Sequence, residues 1–488
     1  MRSQSSPNIV LFLVDDMGWQ DTSVPFHTET TPLNRRYRTP NMERLAARGV
    51  TFTQAYAHAI CSPTRIALLS GATAARHRVT NWTLRKDRTN DSSHAELEFP
   101  AWNVNGFSPE PNIPRTFHSR ALPDYLREAG YRTIHVGKAH FGALDTPGCD
   151  PLRLGYDVNI AGHAAGAPAS YYGEHNFSSA LRRGNADADT VWDVPGLEEF
   201  HGQDIYLTEA LSKKALSAVE ESVKEERPFF LYFAPYAVHT PIMPHPKYVE
   251  NYPDLDRTEA AYASMVEAMD AALGQLLDRL DALGVSENTV VLFTSDNGGL
   301  SAVARGGERH RHNAPLSSGK GSAHEGGIRV PMLASWPGVT QAGTRCDTPV
   351  ISEDFFETIL EIAEVEAQGP SDGRSFTPLL RGTELPGRDL LWHQPNNWIQ
   401  GRGPGLGPHS TLRSASWKLI YYHERGPETC FELFHLKSDI GESNNLASRE
   451  PERLQRMQRA LGKALRALDA QMPIRKVNGT SVSWPDDL

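Results

Sequence analysis

Three observations predict an α/β fold with a smaller C-terminal α+β subdomain built on an antiparallel sheet. Short, wholly apolar runs such as Ile9–Val14 alternate with amphipathic helical stretches, the pattern of a sheet covered by helices. The clearest of those stretches repeats Tyr262, Val266, Met269, Leu273, Leu276 and Leu280 at spacings of four and three, which lays one apolar stripe along a helix. From about residue 385 the texture changes to short strand-like segments separated by turn residues.

The elements follow in chain order. Ile9–Val14 reads as a buried strand. Thr39-Pro40 opens a helix that carries Met42, Leu45 and Ala46 and stops at Gly49, with proline in the first turn. Leu122-Pro123 opens another that ends at Gly130, and Arg132–Val136 is a strand. Phe229–Phe233 and Thr289–Thr294 are further buried strands, flanking the long helix. In the C-terminal part, Thr411–Arg413, Lys418–Tyr422 and Cys430–Phe434 are strands. A final helix buries Leu454, Met457, Leu461, Leu465 and Leu468 on one face. The turn-rich Arg381-Gly382 marks the boundary, giving units 1–381 and 382–488. Residues 81–120 and 159–176 are long irregular stretches, and loops of that length inside a compact domain are usually functional.

The 488 residues are 39% hydrophobic and 22% charged, which excludes a disordered or collagen-like chain. Lys+Arg 49 against Asp+Glu 59 gives a net charge of −10, so a strongly basic nucleic-acid footprint is absent. The apolar run Ile9–Val14 is too short to span a bilayer and lacks a signal-peptide pattern. The chain as written therefore reads as soluble with no membrane partner: cytoplasmic, or periplasmic or secreted if a leader has been removed. Cys61, Cys149, Cys346 and Cys430 form neither a disulfide framework nor a Cys-x-x-Cys pair.

Chemistry concentrates where strands end. Asp15-Asp16 directly follows the first buried strand, and strand C-terminal ends face the ligand crevice in open α/β sheets. Alone, the pair reads more simply as a turn with a helix cap. The same arrangement recurs at Ser295-Asp296-Asn297-Gly298-Gly299. Asp15, Asp16, Asp296 and Asn297 together offer four hard oxygens, suited to Ca²⁺ or Mg²⁺ rather than zinc or copper. Cys61-Ser62-Pro63-Thr64-Arg65 leads into the helical Ile66–Gly71. Cys61 is then either a small buried hydrophobe or a thiol whose pKa is lowered by a helix N-terminus and a neighbouring Arg.

That pentapeptide resembles the Cys-x-Pro-x-Arg signature of the type I sulfatases, whose cysteine is oxidised after translation to formylglycine. The resemblance extends over most of the chain. It includes Asn8–Asp16, Cys61–Gly71, Gly137–His140, His239-Thr240-Pro241, Ser295–Gly299, Gly319-Lys320-Gly321 and Glu325–Pro331, with Arg413–Tyr421 and Leu433–Ala447 like the family's small subdomain. It implies an alkaline-phosphatase-like large mixed sheet sandwiched by helices. It also implies a sulfuric ester hydrolase using a Ca²⁺ ion (or Mg²⁺) and a formylglycine made from Cys61 by a maturation enzyme.

The roles implied are specific. One hydroxyl of the hydrated formylglycine attacks sulfur, with its pKa lowered by the metal. Lys138 and Lys320 offset charge on the sulfuryl oxygens. His239 protonates the departing alcohol, which a sugar needs because an alkoxide leaves badly. His140 is the base that lets the second hydroxyl expel sulfate, and Arg65 holds the hydrate. The long loops and subdomain resemble those of glycan-desulfating members, so a sulfated mono- or oligosaccharide is the expected substrate. An arylsulfatase, a phosphonate or phosphodiester hydrolase of the same superfamily, and a binding protein with unconverted Cys61 are the alternatives. His312, in the basic segment Arg305–Asn313, and His393, Asn396 and Trp398 at the start of the subdomain are candidate substrate contacts. Trp82, Trp102, Tyr171, Tyr172 and His175 are candidates for stacking on sugar rings. The chain departs from the family pattern at Thr64, Ala139, Phe141 and His324.

Overall fold

A computed structural model describes residues 6–300, 312–398 and 403–488. The main elements are β1 (Asn8–Val14), α1 (Pro40–Arg48), β2 (Val50–Tyr56), α2 (Cys61–Ser70), α3 (Leu122–Glu128), β3 (Arg132–Gly137), β4 (Val158–Ile160), α4 (Leu207–Lys224), β5 (Phe229–Ala234), α5 (Arg257–Ala282), β6 (Thr289–Ser295), β7 (Arg329–Ser335), β8 (Thr344–Cys346), β9 (Val350–Ile351) and α6 (Asp354–Ile362). The C-terminal part adds β10 (Leu390–Gln394), β11 (His409–Ser414), β12 (Trp417–Tyr422), β13 (Phe431–His435) and α7 (Pro451–Ala467).

Among the described residues the principal sheet has nine strands in the order β8-β2-β7-β6-β1-β5-β3-β4, with β9 also on β2. β6, β1, β5, β3 and β4 run parallel, whereas β7 is antiparallel to both neighbours, so the sheet is mixed. Helices cover both faces. Val10, Phe12 and Val14 point into one core with residues of α1, α4 and α5, while Ile9, Leu11 and Leu13 join the other with α2, α3 and α6. Burial on both faces is why β1 reads as a continuous apolar run instead of an alternating one. The stripe expected on α5 is buried throughout.

Two central strands were not legible as apolar runs. β2 (VTFTQAY) carries polar residues, and β7 contains Pro331. The β7–β2 register shifts between Val330 and Met332, which accommodates a proline without a ladder N–H.

The second sheet is antiparallel, in the order β10-β11-β12-β13, and α7 packs on it through Met457, Leu461 and Leu465. It is joined to the main sheet by a buried ionic group. The Lys418 ammonium lies 3.0 Å from Glu325 and 2.9 Å from Glu442, and the Tyr56 hydroxyl donates to Glu325 at 2.7 Å. Among the described residues no helix is long and apolar enough to cross a membrane. All four cysteines are free.

Candidate active site

Strand register builds the site. Val14 pairs with Ser295, so the segments that follow β1 and β6 emerge side by side and bring Asp15-Asp16 against Asp296-Asn297. β3 ends at Gly137 beside Ala234 of β5, where a Cβ would stand 2.0 Å from the Ala234 carbonyl oxygen. Only glycine fits there, and the chain turns at φ 97° to deliver Lys138 to the same end of the sheet. Asp16 and His140 themselves adopt φ 59° and 58°, left-handed turns that non-glycine residues rarely take outside functional loops.

The floor is an interlocked set of charges. The Lys138 ammonium is 2.8 Å from Asp15 and 3.8 Å from Asp296. Arg65 donates to Asp296 at 2.9 Å and to the Lys138 carbonyl at 2.7 Å. Lys320 donates to Asp16 at 2.5 Å, and the Asn297 amide donates to the same Asp16 oxygen at 2.8 Å. Asp15, Asp16, Asp296, Asn297, Lys138 and Arg65 are all buried.

Burial and the Asp296 carboxylate push Asp15 well above the usual carboxylate range, against Lys138. For Asp16 burial also acts upward, but the Lys320 ammonium prevails and holds the carboxyl low. Three buried oxygens in this group receive no hydrogen bond: Asp15 Oδ1, Asp16 Oδ2 and Asn297 Oδ1. Ligand atoms of Asp15, Asp16 and His239 lie within 4.8 Å of one another. Hard, buried, undonated oxygens are the donor set a calcium or magnesium ion takes. Both Asp296 oxygens are already engaged, Oδ1 by the Asp16 amide at 3.2 Å and Oδ2 by Arg65.

Above this floor a cavity of about 440 Å³ opens, lined by Cys61, His140, His239, Lys320 and Trp398 among others. Cys61 begins α2, as its Pro63 suggests, and is buried. Of the two readings of Cys61 the buried one holds: burial raises the thiol pKa, with Asp296 and Asp15 acting in the same sense and Lys138 and Lys320 against it. The thiol is thus a protonated group and not a ready thiolate.

The two histidines have defined tautomers. His140 Nε2 faces the Thr83 carbonyl at 2.8 Å, so it donates there and leaves Nδ1 as the acceptor. Burial, followed by Lys138, pushes this ring well below its ordinary pKa and keeps it neutral. His239 Nδ1 faces the Thr240 carbonyl at 2.8 Å, leaving Nε2 3.6 Å from Asp16. Burial pulls His239 down to about 3, with Asp16 acting in the opposite sense. Tyr171 donates to the Tyr236 and His239 carbonyls, bracing this loop from behind.

Of the candidate substrate contacts, Trp398 and Trp82 line the cavity. Gly321 gives Trp398 its seat, since a Cβ there would fall 2.0 Å from the indole ring. The others lie elsewhere. His393 is buried between Ser410 (2.8 Å) and the Gln471 carbonyl (2.9 Å), and Asn396 donates to Asp91 at 2.9 Å. His312 is buried 3.8 Å from Glu259 and 4.0 Å from Asp21. Residues 305–311 of its basic segment lie outside the described residues. Trp102 points into a core and donates to Asp91, while Tyr172 lines a separate hollow with Glu174 and Lys247. His175 meets Ser170 at 2.8 Å. Arg182, Arg183 and Trp192, which also line the cavity, were missed. They fall in a polar stretch with neither periodicity nor motif to mark them.

A mixed sheet with acidic residues at adjoining strand ends, a cysteine at a helix start and flanking Lys and His groups defines a hydrolase of the alkaline phosphatase superfamily. The chain belongs to the sulfatase family, whose model matches residues 7–365. A second model, N-sulphoglucosamine sulphohydrolase, C-terminal, matches residues 319–471. The chain is 29% identical over 499 residues to a sulfatase of Formosa agariphila, covering 92% of this chain and 86% of that one. It is 31% identical over 485 residues to the N-acetylgalactosamine-6-sulfatase of Canis lupus familiaris, covering 93% and 84%. The solved structure of Ps i-CgsB aligns with a TM-score of 0.73 at 26% identity, over 94% of this chain and 93% of that one. The protein is accordingly a sulfuric ester hydrolase.

Proposed function

We propose that this enzyme removes sulfate from a sulfated carbohydrate, using a formylglycine made from Cys61 by a maturation enzyme and a calcium ion (magnesium as the alternative) held by Asp15, Asp16, Asp296 and Asn297. The observation that carries the reading is the convergence of Cys61, His140, His239 and Lys320 on one cavity above buried carboxylate and amide oxygens that lack donors. Residues 1–381 would then form the catalytic unit. The subdomain 382–488 would supply one wall of the cavity through Trp398.

When bound, the cation would polarise the sulfate ester and acidify the attacking hydroxyl. The hydrated aldehyde would supply one hydroxyl to attack sulfur and a second to release the sulfate. The remaining work falls to side chains. Lys320 compensates charge on the sulfuryl oxygens while also fixing Asp16. Lys138, buried on Asp15, holds that carboxylate in one orientation, and Arg65 does the same for Asp296. His239, with Nδ1 occupied by Thr240, delivers a proton from Nε2 to the departing alcohol, and an anionic sulfate bound beside it raises its proton affinity. His140, neutral with Nδ1 free of a donor, takes the proton that frees sulfate.

The sugar is supported by the name of the 31%-identical relative and by the indole rings of Trp82, Trp192 and Trp398 on the cavity wall. Initial rates on N-acetylgalactosamine 6-sulfate, 4-nitrophenyl sulfate and a bis-nitrophenyl phosphodiester test it. A kcat/KM at least about tenfold higher on the sugar than on either aryl substrate is expected. The reverse ranking would remove the carbohydrate assignment.

A further inference from the structure

The cavity wall carries more positive charge than one sulfate requires. Lys320 at the floor faces the site of sulfuryl transfer. Arg182 and Arg183, at the end of the short helix Ser179–Arg183, line the same cavity beside Trp192. Among the described residues that line it there is no Asp or Glu. Among the described residues neither guanidinium has a carboxylate partner within ion-pairing distance. The nearby Asp189 is taken by Arg85 at 2.5 Å, and Asp193 accepts from the Ser179 amide at 2.7 Å. The two adjacent arginines repel each other; Asp189, already bonded to Arg85, offsets part of this for Arg183, while Arg182 feels burial and the Arg183 charge. Arg182 is half-buried, Arg183 exposed, and the segment bearing them is fastened twice, by the Arg85–Asp189 pair and by the Ser179–Asp193 hydrogen bond. The arginines are therefore presented by an anchored loop.

We infer that Arg182 and Arg183 form a second anion subsite, which selects a sulfated saccharide bearing a further negative group besides the ester that is cleaved. This inference rests on the carbohydrate reading above and deepens it. Guanidinium groups bind sulfate and carboxylate through paired, charge-assisted hydrogen bonds, so a second sulfate and a uronate carboxylate are the two forms the group takes. The indole of Trp192 beside them gives the sugar ring carrying that group an apolar face to rest on. The subsite holds the second anion equally in the ground and transition states, so it changes KM more than kcat.

The test uses the formylglycine-bearing enzyme and four probes: N-acetylgalactosamine 6-sulfate, the corresponding 4,6-disulfate, a 6-sulfated N-acetylgalactosamine linked to a uronic acid, and 4-nitrophenyl sulfate as the non-sugar control. Wild-type kcat/KM is expected to be at least about tenfold higher on one or both doubly anionic probes, and the R182Q/R183Q variant is expected to erase that preference through KM. Whichever doubly anionic probe shows the preference identifies the group as sulfate or carboxylate. Equal or better turnover of the neutral-framed monosulfate by the wild type overturns the subsite and leaves the carbohydrate reading intact. A preference that survives R182Q/R183Q overturns the assignment to these arginines. Hydrolysis of 4-nitrophenyl sulfate without turnover of any sugar overturns the carbohydrate reading and the subsite with it. The wild-type ranking stands independently of whether the variant folds.

Discussion

The Lys320 ammonium lies 2.5 Å from the Asp16 carboxylate, joining positions 304 residues apart in the chain, and both side chains are buried. Burial alone would lower the lysine pKa, but the Asp16 carboxylate reverses the effect and keeps the group charged. The contact therefore fixes a positive charge at the mouth of the metal-type oxygen cluster and orients one of its carboxylates.

Replacing Lys320 with Ala should cost activity twice over, through lost charge compensation and through a loosened Asp16. A fall in kcat/KM of about 10²–10³ is expected from initial rates, the scale seen when one oxyanion-stabilising group is removed. A loss under about threefold would show that Lys320 does not face the reacting sulfate.

His239→Ala separates the acid role from a structural one. A sugar alkoxide needs a proton to leave, whereas 4-nitrophenolate does not. The variant should lose about 10²–10⁴ in kcat on a sugar sulfate and far less on 4-nitrophenyl sulfate. Equal losses on both would remove the general-acid assignment.

Cation binding has a readout independent of turnover. With Ca²⁺ at a hundred times its Kd the native state should gain about 2.7 kcal/mol, seen as a higher Tm that a chelator reverses. Asn297→Ala and Asp15→Asn should shrink that shift, because the first removes an oxygen that now lacks a donor and the second removes a carboxylate charge. No shift with either Ca²⁺ or Mg²⁺ would count against the site.

Acid stability is set in part by histidines of the second sheet. His393 and His423 share the Ser410 hydroxyl at 2.8 and 2.9 Å, and His409 caps the Gly407 carbonyl at 2.8 Å. Burial pulls His393 and His409 down to about 4, and His423 well below its ordinary value. The unfolded chain therefore binds protons first as pH falls. Stability is complete above about pH 6.5 and declines toward pH 4, by up to about 1.4 kcal/mol per pH unit for each histidine. Urea midpoints of wild type and His409→Asn between pH 7 and 4.5 should diverge, with the variant less acid-sensitive. Parallel curves would mean that His409 is already charged in the fold.

Lys418 joins the two sheets through Glu325 and Glu442. Lys418→Met should destabilise by about 3–5 kcal/mol, because it strands buried carboxylates. Adding Glu442→Gln should recover part of the loss, since burial already raises that carboxyl's pKa. Additive losses in the double variant would deny the coupling.

Much of this architecture was legible in the residues. The β1, β5 and β6 strands are buried on both faces and read as apolar runs, and the acidic residues after β1 and β6 are conspicuous because they terminate such runs. β2 and β7 escaped because polar residues and Pro331 break the apolar pattern while pairing on both sides supplies the burial. At the site, motif residues such as Cys61, His140, His239 and Lys320 converge on one cavity. His393, Asn396 and His312 were chosen by chain position, and chain position does not fix which way a side chain points: His393 turns to Ser410 and Gln471 instead. Arg182, Arg183 and Trp192 acquire meaning only when their polar stretch folds to line the cavity.

The most direct test of the account is the mass of the peptide containing Cys61, taken from a preparation that is measurably releasing sulfate. A formylglycine at residue 61 makes this peptide lighter by about 18 Da than the cysteine form, the difference between thiol and aldehyde. An unmodified thiol in fully active protein would contradict the account.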